Sequence, residues 1–182
     1  MMGNDIGFFF SLGEVAPGTE VEVKVGISYT SIENARRNLE AEVGSRTFDE
    51  IRNNAHSTWN EALGRIRVEG GTEDDKTIFY TALYHALIHP SIISDVNGEY
   101  PMMESGETGR ADYTRYSVFS LWDTYRNLHP LLTLVYPERQ TDMLRSMVDM
   151  YFSYFMKSSC VANQAKNSLN MLKWLVCSSY WH

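Results

Sequence analysis

Only two cysteines, Cys160 and Cys177, occur in the 182 residues, and they form no CxxC pair. Thiols so sparse supply neither a zinc site nor a disulfide framework, and the redox compartment stays open. Clusters of lysine and arginine are missing and the formal charge is −7, which argues against a nucleic-acid partner, since phosphate binding needs such clusters. No apolar run reaches the ~20 residues of a membrane span. The first residues, MMGNDIGFFFSLGE, place Asp5 where a secretory signal carries basic side chains, and their apolar run is short. No signal peptide is visible. GxSxG, GxxxxGK[ST] and GxGxxG are also absent, leaving serine-triad hydrolysis and nucleotide binding without support. Acidic residues run out as well: all 23 lie within positions 1–149, and the final 33 residues have none, nor any Gly or Pro, while keeping Lys157, Lys166 and Lys173. Surfaces normally mix both signs. Residues 152–182 therefore read as a tail foreign to the fold, the alternative being a basic amphipathic helix around 169–176.

What is present is ordinary for a globular chain, with 43% apolar and 21% charged residues. Aromatics, at 13%, are somewhat rich, which mildly favours a sugar-binding cleft with flat apolar faces. Residues 8–12 and 20–28 read as strands about a Pro17-Gly18 turn, with Val21, Val23, Val25 and Ile27 alternating against polar neighbours. An isolated hairpin is marginal, so these strands want a larger sheet. Thr30-Ser-Ile-Glu33 and Thr47-Phe-Asp-Glu50 read as capping boxes. The first opens a helix with Ile32, Ala35, Leu39 and Val43 on its buried face; the second opens one with Ile51, Ala55, Trp59, Ala62 and Leu63. A third helix spans 72–89 with Phe79, Ala82, Leu83, Ala86 and Leu87 inward, and Pro90 follows it. Positions 94–112 are loop, and Tyr136-Pro137 starts another helix with Met143, Leu144, Met147, Val148 and Tyr151 on its apolar face.

Candidate chemistry is concentrated at 116–137, an apolar and aromatic stretch that sets Trp122, Asp123, Arg126 and His129 within about two helical turns. Ser120 is the expected cap, Asp123 the first-turn carboxylate, and Pro130 the residue that kinks or ends the helix. Trp122-Asp123 fits a sugar site, where an aromatic face packs on the ring and a carboxylate holds hydroxyls or moves protons. It fits equally a buried tryptophan beside a capping carboxylate. Arg126 pairs with Asp123 at i, i+3 in the structural alternative. His85 and His89 have a metal-gripping spacing but no HExxH, and they border a helix C-terminus that favours histidine anyway. Asp95, Asn97 and Glu99 resemble half a calcium loop, yet they lack the twelve-residue order and read as a turn.

The segments FYTALYHALIHPSIISDVNGEY at 79–100 and YSVFSLWDTYRNLHPLLTLVYPER at 116–139 together resemble the glycoside hydrolase family 92 α-mannosidases. VKVGISYTSIENARRNLEAE and Trp59-Asn60 are similar to the same family's passage from β-sandwich to helical domain, and the likeness runs over positions 8–151. The resemblance implies an α+β, mainly helical chain: the end of a β-sandwich at 1–29, a helical linker at 30–71, the start of an (α/α)6 toroid at 72–151, then the divergent tail. It implies calcium-assisted, inverting removal of terminal α-linked mannose from glycans, with commonly secreted or periplasmic relatives. The Ser-Leu-Trp-Asp-Thr segment at 120–124 carries Trp122 and Asp123 over as substrate-binding residues, with Arg126 a weaker candidate. The family's acid, base and calcium ligands come from later segments that include Gly-Asn-Glu-Pro, a motif this sequence lacks. No catalytic or metal-ligating residue is therefore expected within the chain, which reads as a truncated or misread product inactive by itself. A non-catalytic helical module binding sugar or protein is the alternative.

Overall fold

The chain folds where its caps say it should. In the computed structural model, which describes residues 9–102 and 106–157, with side chains to 153, six helices and four short strands follow one another. Helix α2 (Phe48–Leu63) opens on a full capping box: Thr47 accepts from the Glu50 N–H, and the Glu50 carboxylate accepts the Thr47 N–H at 2.8 Å. Helix α3 (Glu73–Ile88) repeats this with Thr72 and Asp75. Both carboxylates are held below their ordinary pKa, first by the backbone hydrogen bond and then by the threonine hydroxyl. Two otherwise unpaired groups are satisfied reciprocally at each start.

Helix α1 (Ile32–Glu42) departs from the expected cap and from the expected face. Ser31, not Thr30, caps it, accepting from the Asn34 N–H at 3.0 Å. Its buried residues are Asn34 and Asn38, whereas Ile32 is exposed. Ala35, Leu39 and Val43 of the expected stripe are half-buried, and the deepest positions go to the two amides because the neighbouring loop offers a carboxylate that they satisfy.

Strands β1 (Ser91–Ile92) and β4 (Tyr116–Ser117) form one antiparallel ladder, and β2 (Glu99–Pro101) and β3 (Thr108–Arg110) form another in register Tyr100 to Gly109. The strand expected at 20–28 joins no ladder among the described residues; it runs extended with Val21, Val23, Val25 and Ile27 exposed. Unpaired edges of this kind have no stability of their own. The fold is thus mainly helical with two small antiparallel sheets. The other expected strand, 8–12, joins no ladder over its described residues 9–12 either, and residue 8 lies outside the described residues.

After β4 come α4 (Leu121–Thr124), α5 (Leu128–Val135) and α6 (Pro137–Lys157). The helical break falls at 125–127, before Pro130 rather than at it. Pro130 occupies the first turn of α5, where its N–H would have had no intrahelical partner. The core gathers Leu83 and Leu87 from α3, Tyr116 and Phe119, Leu132 and Tyr136, and Met143 and Met147 from α6, with Trp59 and Leu63 of α2 against it. Tyr136 Oη donates to the Ala62 carbonyl at 2.9 Å, and the Tyr116 N–H donates to Ser146 Oγ at 3.0 Å, so these two polar groups are paired inside the core. Helix α6 continues past Asp149 to Lys157; residues 158–182, most of the tail, lie outside the described residues.

Candidate functional site

The residues that stand together in sequence at 122–129 separate in space. Phe119 is buried, and α4 starts just beyond it, so Trp122 is 76% exposed and Asp123 and Arg126 are also at the surface. Ser120 caps α4 through its carbonyl, which accepts the Asp123 N–H at 2.9 Å, while its hydroxyl makes no cap bond. The Arg126 Nε donates to Tyr125 Oη at 2.7 Å and the guanidinium lies 5.2 Å from that ring, in place of the expected pairing with Asp123. Helix α4 has ended at Thr124, so the i, i+3 geometry is not available. His129 goes the other way. It is 1% exposed, with Nδ1 against Gln140 Oε1 at 3.0 Å and Nε2 unpaired among the described residues. Burial lowers its pKa, and the Gln140 bond raises it in part.

A second cluster forms around Asp95. Its Oδ2 accepts from Ser28 Oγ at 2.8 Å, Thr30 Oγ1 at 2.5 Å and Asn34 Nδ2 at 3.0 Å; its Oδ1 accepts from Asn38 Nδ2 at 2.7 Å. Asn34 Nδ2 also donates to Glu99 Oε2 at 2.6 Å, and the Asn38 side-chain Oδ1 accepts the Val96 N–H at 3.0 Å. Burial pushes the Asp95 pKa up, but the bonds from Thr30, Asn38, Ser28 and Asn34 outweigh it and leave the carboxyl below its ordinary value. Glu99 is lowered chiefly by Asn34. Asp95, Asn97 and Glu99 thus belong to a protein-satisfied turn. The partners were not foreseen from sequence, although Thr30, Asn34 and Asn38 recur every four residues, which is a polar helical face.

Beside it lies a groove of about 1200 Å³ lined by Asp95, Asn97, Arg110, Tyr113, Asp142 and Asp149 among others. Behind two of its lining residues, Tyr113 and Asp149, the buried Arg115 lies 4.5 Å from the Tyr100 ring and donates to Asp149 at 3.1 Å and to Tyr113 Oη at 3.0 Å. Tyr113 also donates to Asp149. Burial first, and then the Asp149 bond, push the tyrosine up to about 12. These groups are committed to each other, which makes them struts between the β2–β3 hairpin and α6. Trp122 and Asp123 do not line this groove. The His85 ring lies tilted by 50° against that of Tyr84, with centroids 5.7 Å apart.

Such a helical chain with short antiparallel sheets is shared with solved glycosidases. It superposes on the family GH92 alpha-mannosidase of Bacteroides thetaiotaomicron with TM-score 0.63 and 38% identity, covering 68% of this chain and 16% of that one. The same enzyme is known in complex with mannoimidazole. A second family GH92 glycosyl hydrolase, ccman5, gives TM-score 0.66 and 28% identity over 72% of this chain and 18% of its own. An uncharacterized secreted glycosidase of Arthroderma benhamiae is 33% identical over 113 residues, 60% of this chain and 14% of the relative. The family model described as "Glycosyl hydrolase family 92 catalytic domain" matches residues 34–170, reaching past position 151 where the motif resemblance ends. The chain belongs to glycosyl hydrolase family 92. It spans less than a fifth of the length of these relatives.

Proposed function

We propose that this chain supplies one wall of the mannose-binding pocket in an α-mannosidase that removes terminal α-linked mannose with inversion. The observation that carries the reading is the Ser-Leu-Trp-Asp-Thr segment, held out from the core in a family 92 chain with Trp122 76% exposed. An exposed indole gives a flat apolar face for a sugar ring, and the neighbouring carboxylate accepts hydrogen bonds from its hydroxyls. Arg126, turned onto Tyr125, is the weaker candidate. Inversion needs a general acid and a separate base ~6.5–9.5 Å apart across the bond that breaks. In this reading both come from segments outside this sequence, since Gly-Asn-Glu-Pro is absent.

Calcium assistance belongs to the same reading but not to these residues. Both Asp95 oxygens in the loop that resembles half a calcium site are already occupied by protein donors. Asp95 and its neighbours do not fit the ion.

Calorimetric titration of the 182-residue chain with mannoimidazole tests the reading. Saturable heat in the millimolar range, absent with the glucose-configured analogue, is expected. No heat at that concentration would remove the pocket from this chain.

A further inference from the structure

Between β4 and α4 the backbone takes two left-handed residues that are not glycine, Val118 at φ 61° and Ser120 at φ 43°. A β-branched residue there is an outlier, and it persists only where its surroundings hold it. Phe119, between the two, is buried in the core cluster with Tyr116 and Leu132. The Phe119 carbonyl accepts from Thr124 Oγ1 at 2.8 Å, and the Ser120 carbonyl accepts the N–H groups of Asp123 at 2.9 Å and Thr124 at 3.1 Å. Neither strained side chain has a packing reason to be there. Val118 is 59% exposed, and the Ser120 hydroxyl does not cap α4. What the turn achieves is direction: Phe119 points in, and three residues later Trp122 stands out.

We propose that Val118 and Ser120 are positioning residues whose strained turn fixes Trp122 and Asp123 in their outward presentation. The geometry stands by itself; that the presentation serves mannose rests on the function proposed above. A β-branched residue keeps such a turn stiff where glycine would let it move.

Two variants of the full chain separate stiffness from strain. Asparagine tolerates positive φ and stays restrained, whereas glycine tolerates it and is free. Val118→Asn and Val118→Gly should both raise Tm by a few degrees. Presentation is read as acrylamide quenching of Trp122, taken as the difference between each protein and its Trp122→Phe counterpart. The asparagine variant should keep the parent's quenching and mannoimidazole affinity. The glycine variant should change the quenching and lose affinity roughly tenfold, as pre-organisation is lost. A merely structural role would move stability and affinity in the same direction. A lower Tm in either variant, or unchanged quenching in the glycine variant, overturns the proposal. If the parent binds no mannoimidazole, the mannose reading falls, and Tm with quenching alone decides the positioning role.

Discussion

Asp95 holds the N-terminal passage onto the hairpin with four side-chain donors, Ser28, Thr30, Asn34 and Asn38. Removing the acceptor leaves those donors facing nothing, so Asp95→Ala should cost about 2–4 kcal/mol in urea unfolding. A loss within experimental error would mean that water replaces the carboxylate. Its lowered pKa fixes the sign of the pH effect: the stabilisation is full above the ordinary value of 3.8 and disappears only as pH falls through the lower, folded value. His129 acts nearer neutrality. Folding keeps it neutral by burial, so the unfolded chain binds the extra proton, and stability declines as pH drops below the ordinary 6.5. Tm should fall between about pH 7.5 and about pH 5.5, and His129→Gln should flatten that slope. An identical slope in the variant would place its source elsewhere.

At the level of elements, the capping box at Thr47 does what its sequence spacing says, the one expected at Thr30 gives way to a cap at Ser31, and Thr72, expected only as a helix start, forms a full box. Thr72→Ala should lower Tm by a few degrees, because the Asp75 N–H at the start of α3 loses its acceptor, and Thr72→Ser should restore most of it. Equal losses in both variants would argue against the hydroxyl. Caps, the stop at Pro90 and the start at Pro137 were legible because each depends on residues within one turn of one another. The face of α1 was not. Whether Ile32 or Asn34 turns inward depends on Asp95, some sixty positions away, and periodicity carries no information about such a partner. Pro130 failed as a stop because the break falls at 125–127, which leaves the proline in the first turn of α5, where its missing N–H costs nothing. The site divides likewise. Trp122 and Asp123 are candidates through their motif alone, whereas the burial of His129 against Gln140, eleven positions on, is a contact that local spacing does not carry.

For the whole molecule, family membership is plain, and the span is less than a fifth of its relatives. The strand-like run at 20–28 with its exposed valines, and the family match beginning at residue 34, agree with a chain whose helical part carries the fold. If the acid and base lie outside this sequence, as proposed above, the purified chain should show no turnover of an aryl α-mannoside with or without calcium; robust hydrolysis would show that the proton-transfer pair lies within it. Binding is the more direct test of the pocket wall, since it needs no reaction. The decisive quantity is the ratio of mannoimidazole dissociation constants for Asp123→Ala and the parent, with near-parental Tm confirming the fold. Asp123 is exposed and outside the core, so the variant should fold normally and bind at least about tenfold more weakly. An unchanged dissociation constant would contradict the assignment of Trp122 and Asp123 to a mannose pocket.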